Sequence, residues 1–248
     1  MILNEKIALV TGGGSGLGRA ISIAYAKYGA TVVVADINDA GGQETVSLIE
    51  QAGGKASYLH ADVTSSQACD EMVQSVVAQY GRLDIACNNA GISPPSTELH
   101  EVSDALWDKV VKMDLTSVFY CARSELRVML PAGKGVIVNL ASILGQVAFY
   151  GDGPYVAAKH GVVGLTKQLA LEYAAKGIRS FSVGPAFMKT GLEKTLDAES
   201  QASLPRLHPA GRMGEPEEVG EVVALLSSDG ASFINGAYIP IDGGYLSR

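Results

Sequence analysis

The sequence predicts an α/β fold in which a doubly wound, seven-stranded parallel sheet carries helices on both faces. Three observations lead there. Short apolar runs rich in β-branched residues alternate with helix-spaced segments along all 248 residues. The first such run is followed at once by a glycine-rich turn, Thr11-Gly12-Gly13-Gly14-Ser15-Gly16-Leu17-Gly18. No Pro/Ser-rich linker or block of like charge divides the chain, so a single domain over 1–248 is expected.

The elements follow in order. Lys6–Thr11 reads as a buried strand, and Leu17–Tyr28 as a helix with Ile21, Ala24 and Tyr25 on its inner side. Thr31–Asp36 is a strand, Asp39–Ala52 a helix and Lys55–His60 a strand. Thr64 with Gln67 three residues later is a capping-box pattern opening a helix to Tyr80. Leu83–Cys87 is a strand. Ser103–Leu130 reads as one long helical stretch ended by Pro131. Gly135–Leu140 is a strand, a helix runs from Gly153 to about Lys176, and Ile178–Val183 and Ala237–Pro240 complete the sheet. The segment Ala186–Gly214, with Pro205 and Pro209, breaks the rhythm and is expected to form a substrate lid.

Composition narrows the function. Hydrophobic residues make up 47% and charged residues 18%, enough apolar surface for a large core. The formal charge of −7, with no basic cluster, argues against nucleic-acid binding. The longest charge-free stretch, Gly135–Gly151, is 17 residues and contains Asn139, Ser142 and Gln146, so it reads as a strand plus loop and not as a membrane span. The start of the chain, MILNEKIALV, lacks the basic flank and apolar run of a secretory signal. Cys69, Cys87 and Cys121 lack metal-ligand spacing and read as reduced, buried thiols, which suits a cytoplasmic protein. No metal site is expected; His60, His100, His160 and His208 do not group with carboxylates.

The glycine turn is a candidate phosphate cradle. Glycine permits positive φ and close approach of backbone to a pyrophosphate, and the following helix aims its N–H groups and positive dipole end at the anion. Gly16-Leu17-Gly18 lacks the Lys-Ser/Thr of a P-loop. Asp36 ends the second strand, where a carboxylate accepts hydrogen bonds from both ribose hydroxyls of an adenosine and repels a 2′-phosphate. With no Arg or Lys at Ser15 or Ile37, this selects NAD over NADP.

These motifs, taken with others in order along the chain, resemble the short-chain dehydrogenases/reductases in their subgroup of about 250 residues. The others are Asp62-Val63, Asn88-Asn89-Ala90-Gly91, Ser142, Tyr155-x-x-x-Lys159, Pro185 with Thr190, and Asp242-Gly243-Gly244. The resemblance implies a Rossmann fold, a usual homotetramer, and NAD as cofactor. It places the cofactor on Gly12, Ser15, Gly16, Leu17, Gly18, Asp36, Ile37, Asp62, Val63, Asn89, Ala90, Gly91, Tyr155, Lys159, Pro185, Phe187 and Thr190, with Asn88 also facing the adenosine ribose. Asp62 and Val63 hold the adenine, and Pro185 and Thr190 the nicotinamide.

The chemistry suits the remaining motif residues. Hydride transfer to a ketone builds negative charge on its oxygen, which a proton donor must meet. Tyr155 and Lys159, i and i+4, share one helix face. The ammonium is expected to lower the phenol pKa by about two to three, roughly 3–4 kcal/mol. Ser142 would hydrogen-bond the substrate oxygen. Asp114 stands where the family carries an Asn whose backbone carbonyl holds a relay water, and it is expected to stabilise charged Lys159, directly or through water. Enoyl reductases of similar fold place more residues between Tyr and Lys. Ala186 replaces the family's glycine after Pro185. Pro94, Leu144, Tyr150, Ala186, Met188 and Leu192 are candidate substrate-pocket walls, with Ile92, Ser93, Gln146, Phe149, Phe187 and Leu196 beside them. The expected substrate is an apolar aryl or alicyclic secondary alcohol or ketone, handled without nucleic-acid or membrane partners. The alternatives are a 3-oxoacyl thioester, sugar or steroid reductase of the same family, for which Arg123, Arg127 and Lys134 are the only candidate carrier contacts, or a dinucleotide-binding regulator without turnover.

Overall fold

A computed structural model describes residues 1–191 and 198–247. Its strands are β1 (Ile7–Thr11), β2 (Thr31–Asp36), β3 (Lys55–His60), β4 (Ile85–Asn88), β5 (Gly135–Leu140), β6 (Ile178–Pro185) and β7 (Tyr238–Ile241). They form one parallel sheet in the order β3-β2-β1-β4-β5-β6-β7. The helices are α1 (Gly16–Lys27), α2 (Asp39–Gln51), α3 (Ser66–Tyr80), α4 (Asp104–Val111), α5 (Ser117–Ala132), α6 (Gly153–Tyr173), α7 (Ala198–Ser203) and α8 (Pro216–Ser227).

The side-chain period of two divides the core. Ala8, Val10, Val32 and Val34 point to one face, where they meet Ile21, Ala24 and Tyr25 of α1 and Val219 and Val223 of α8. Ile7, Leu9, Val33 and Ala35 point to the other, against Met72 and Val76 of α3 and Leu126 and Met129 of α5. Strand order reverses between β1 and β4. The loops after these two strands diverge there and leave a crevice at the carboxyl ends.

Three expectations are corrected. The N-cap of α3 is Ser65, whose hydroxyl accepts from Ala68 N (3.3 Å). Thr64 instead donates its hydroxyl to Asp62, and Gln67 turns outward to Glu71, so the Thr64–Gln67 capping box does not form. The stretch 103–130 is not one uniform helix. It contains a π turn at Lys112–Thr116, where the Ser117 hydroxyl bonds back to the Met113 carbonyl. Pro131 stays inside the last turn of α5, which stops at Gly133 with φ +66°. Sequence reading also passed over α8, although Glu215 and Glu218 form a capping box, Pro216 opens the helix, and Val219, Val223 and Leu226 recur at helical spacing.

Beneath the crevice lies a buried polar chain. Asn88 donates Nδ2 to Glu125 Oε2 (3.2 Å) and to Asn139 Oδ1 (3.0 Å), and Asn139 donates to Thr166 Oγ1 (2.9 Å). Glu125 is fully buried, and burial pushes its carboxyl up from 4.5 to about 8, partly offset by the Asn88 amide. The folded protein therefore keeps a proton that the unfolded chain has released over this interval, and stability is lost as pH rises through it. Glu125→Gln, isosteric with the protonated acid, removes that dependence. Its melting temperature should exceed that of the parent by an amount growing from pH 5 to pH 8, on the order of 3 °C per pH unit. Differential scanning calorimetry at the two pH values checks this; equal differences at both would contradict it.

Candidate active site

The turn between β1 and α1 is held from the neighbouring loop. Asn89 donates Nδ2 to the carbonyls of Thr11 (2.9 Å) and Gly12 (3.2 Å), and Thr11 Oγ1 accepts from the backbone N–H of Asn89 (3.1 Å) and Ala90 (3.2 Å). Gly12 takes φ +64°, and a Cβ on Gly18 would stand 2.1 Å from the Gly12 carbonyl oxygen. Ser15 is the N-cap of α1, yet its side chain makes no capping bond, so the first N–H groups of the helix are left for another acceptor. Asp36 accepts from Gly14 N and Asn38 N, both at 2.8 Å. Arg19 lies behind the turn, where its guanidinium is taken up by Gly14 O (2.6 Å), Thr45 and Glu44.

A cavity of about 700 Å³ runs from Asp36 and Ile37 past Asp62, Val63 and Gly12 to Tyr155 and Lys159. Its form fits an elongated dinucleotide: glycine backbone and open helix N–H groups at its middle, a carboxylate at one end, and proton-transfer groups at the other. Ser15, Gly16, Leu17, Asn89, Ala90, Gly91, Asp114 and Thr190 also line it. Gly18 supports the turn from beneath.

At the far end, Tyr155 and Lys159 project from the first turns of α6, with the Lys159 Nζ 5.3 Å from the phenol ring centre. Lys159 is 3% exposed. Its ammonium donates to Leu140 O (3.1 Å) and lies 3.3 Å from Asp114 Oδ1. Asp114, fully buried on the π turn, also accepts from Ile92 N (3.2 Å), and a Cβ on Gly91 would come within 2.5 Å of its carboxylate. The contact with Lys159 is direct, with no bridging group between the two side chains. Burial raises the Asp114 carboxyl above its ordinary value, against the opposing effects of Lys159 and the Ile92 N–H. Ser142 Oγ accepts from Leu144 N (3.1 Å) and lies against the Tyr155 phenol; its carbonyl accepts from the Tyr238 hydroxyl (2.9 Å).

The expected lowering of the Tyr155 phenol is corrected. Burial raises it, Lys159 opposes that rise, Asp114 adds to it, and Ser142 lowers it. In the protein alone desolvation exceeds the effect of the ammonium.

Other expected residues lie elsewhere. Asn88 is buried and bonds Glu125 and Asn139, away from the cavity. Leu144 (5% exposed) packs in the interior and does not line the large cavity, and Met188 (8%) packs against Gly214 and lines the small cavity that Ala186 and Phe187 also border. Tyr150 is exposed, its hydroxyl bonded to Glu98. Pro94 is half-buried outside the cavity. Pro185 is buried at the end of β6. Ala186 and Phe187 border a second, smaller cavity of about 90 Å³ beside His208. Leu192 and Leu196 lie outside the described residues. Sequence reasoning missed Thr11, Asn89 as a turn clamp, the Leu140 carbonyl and Tyr238. The first two had a signal, since Thr11 ends β1 and Asn89 directly follows the adjacent β4; the last two arise only from packing.

Fold and site together define a protein of the nicotinamide-dinucleotide oxidoreductase class. A family model described as enoyl-(acyl carrier protein) reductase matches residues 12–246. The cyclohexanol dehydrogenase of Acinetobacter sp. (strain SE19) is 44% identical over 245 residues, 99% of this chain and 96% of that one. The cis-4-hydroxycyclohexanecarboxylate dehydrogenase of Sinomonas cyclohexanicum is 41% identical over 98% of this chain and 97% of its own. A solved structure described as an NAD(P)-dependent gluconate 5-dehydrogenase from Beutenbergia cavernae, with NADP bound at low occupancy, superimposes with a TM-score of 0.94 at 35% identity, covering 99% of this chain and 98% of that one. The chain belongs to the short-chain dehydrogenase/reductase family.

The turn geometry makes a sharp prediction. Gly18→Ala places its methyl against the Gly12 carbonyl and the Asn89 amide, so NADH affinity should fall about 100-fold or more, since about 3 kcal/mol of turn geometry is lost. Fluorescence titration with NADH, alongside circular dichroism to verify the fold, measures this; unchanged affinity would contradict the assignment of the turn.

Proposed function

We propose that this protein is an NAD(H)-dependent dehydrogenase interconverting apolar carbocyclic secondary alcohols and their ketones. The observation that carries the reading is Ser142, Tyr155 and Lys159 gathered at one end of a cavity whose other end is the Asp36 carboxylate. Bound there, the nicotinamide would supply or take up hydride. The residues do the rest. Tyr155 donates its phenolic proton to the ketone oxygen, or accepts the alcohol proton in the reverse direction. Lys159 stabilises the phenolate. Ser142 has its oxygen occupied as acceptor by Leu144 N–H, which leaves its own proton to donate to the substrate oxygen.

Asp36 supports NAD over NADP, because a 2′-phosphate would meet its carboxylate and the nearest guanidinium, Arg19, is held behind the turn by Gly14 O and Glu44. The substrate class rests on apolar rings. Phe149 and Phe187 lie 5.7 Å apart, and Phe187 packs edge-on to His208 (5.9 Å) and against Tyr245 (6.2 Å). The cyclohexanol and hydroxycyclohexanecarboxylate relatives act on six-membered carbocycles by their names. A carrier-protein thioester is less well supported: Arg127 pairs with Asp70, Lys134 with Asp84, and Arg123 lies over Phe119 and Tyr120. We take residues 1–248 to act as one cofactor-binding domain with 186–214 as its lid, of which 192–197 lie outside the described residues, working as a homotetramer in the cytoplasm, without metal. Among the described residues, no helix is long and apolar enough to cross a membrane and no side-chain cluster suits a metal.

Tyr155→Phe should lower kcat for NADH-dependent reduction of a cyclohexanone by about 10²–10⁴-fold while NADH still binds. Unchanged kcat would contradict the role of Tyr155, and NADH binding without turnover in the parent on any ring ketone would favour the regulator. Asp36→Asn should reduce the NADH-over-NADPH preference in kcat/KM by on the order of tenfold. A parent enzyme preferring NADPH would overturn the reading of Asp36.

A further inference from the structure

Lys159 is the only cation in contact with the Tyr155 ring among the described residues, and it has a competing anion. Asp114 reaches it from a different element. The π turn at Lys112–Thr116 rotates this side chain inward, the missing side chain of Gly91 leaves room for it, and the Ile92 N–H fixes its carboxylate from the opposite side. Both side chains are buried at the end of the cavity, Asp114 fully and Lys159 to 3% exposure. At such a site the carboxylate acts more strongly on its neighbours than it would on the surface.

We infer that Asp114 is a tuning residue: its carboxylate draws on the ammonium that would otherwise stabilise the Tyr155 phenolate, and so keeps the site in its proton-donating form to higher pH. The inference rests on the dehydrogenase reading above and deepens it. It gives the site a direction. Ketone reduction, which uses the phenol, persists to higher pH than it would with a neutral side chain at 114. Alcohol oxidation, which uses the phenolate, needs more alkaline conditions.

The charged and titratable groups around Tyr155 are few. Lys159, on its own helix, favours the phenolate. Asp114, from the π turn, and Asp152, at the N-cap of α6, favour the phenol. The Ser142 hydroxyl, from the loop after β5, favours the phenolate by hydrogen bonding. Among the described residues, Asp114 itself meets Lys159 and the Ile92 N–H. A purely structural Asp114 would hold the 91–92 loop to the π turn, a task an amide oxygen performs equally well. The distinguishing property of the carboxylate is its charge.

The test separates charge from shape. The protein has ten tyrosines, so an ultraviolet difference titration of the parent against Tyr155→Phe isolates one phenol without requiring turnover. The same difference is then taken in an Asp114→Asn background, and in Asp114→Ser should the amide variant fail to fold. The tyrosinate transition should move to lower pH by about one unit, the scale of one neighbouring charge. The alkaline limbs of kcat/KM for alcohol oxidation and of kcat for ketone reduction should move with it. At neutral pH, oxidation by Asp114→Asn should then be up to about tenfold faster relative to reduction. Superimposable transitions in parent and variants would overturn the proposal, as would lower activity at every pH with no shift. If the parent turns over no alcohol or ketone, the dehydrogenase reading falls, and the tyrosinate titration alone still decides what Asp114 does.

Discussion

The organisation of the site depends on a single buried cation. An ammonium held at 3% exposure is costly unless its donors and charge are matched. Lys159 meets this with a backbone carbonyl at the end of β5, a carboxylate on the π turn and an aromatic ring one helical turn earlier. Satisfying it fixes three elements relative to one another: the carboxyl edge of the sheet, the junction of α4 and α5, and the start of α6. The Tyr155 phenol and the Ser142 hydroxyl take their positions from that arrangement. Breaking a partner leaves a buried charge uncompensated, so the geometry is specified strongly even where its net contribution to stability is small.

The other half of the cavity is built from backbone. Thr11 and Asn89 cross-link the loops after β1 and β4, the two strands between which the sheet order reverses. Glycines there remove side chains from the path of a ligand, and an uncapped helix N-terminus supplies donors. A cofactor-binding half made of main chain tolerates variation elsewhere. The aromatic cluster of Phe149, Phe187 and Tyr245 is built from side chains on separate loops.

Much of this was legible in the sequence, and unevenly so. Thr31–Asp36, Lys55–His60 and Gly135–Leu140 coincide with β2, β3 and β5 because β-branched or alternating apolar runs between turn residues admit few other readings. The cofactor turn was legible because its residues are local in sequence and glycine has few substitutes. The π turn was not, since one additional residue per turn leaves the hydrophobic spacing of 103–130 nearly unchanged. Leu144 looks like a pocket wall in sequence, but which way an apolar side chain faces is decided by packing from distant elements, here the core. The direct Lys159–Asp114 contact was half-legible: the unusual acid was visible, and its distance was not. The sign of the Tyr155 shift depended on burial, which no i, i+4 spacing reports.

The most direct test of this account removes the cation and returns it. Lys159→Ala opens a space beside Tyr155 and Asp114 the size of an alkylammonium ion. Initial rates of NADH oxidation with a cyclic ketone are measured for this variant with and without added methylamine or ethylamine. The account predicts a loss of about 10²-fold or more and a saturable partial recovery by the amine, because the site needs a positive charge at that point. Full activity in Lys159→Ala without added amine would contradict it.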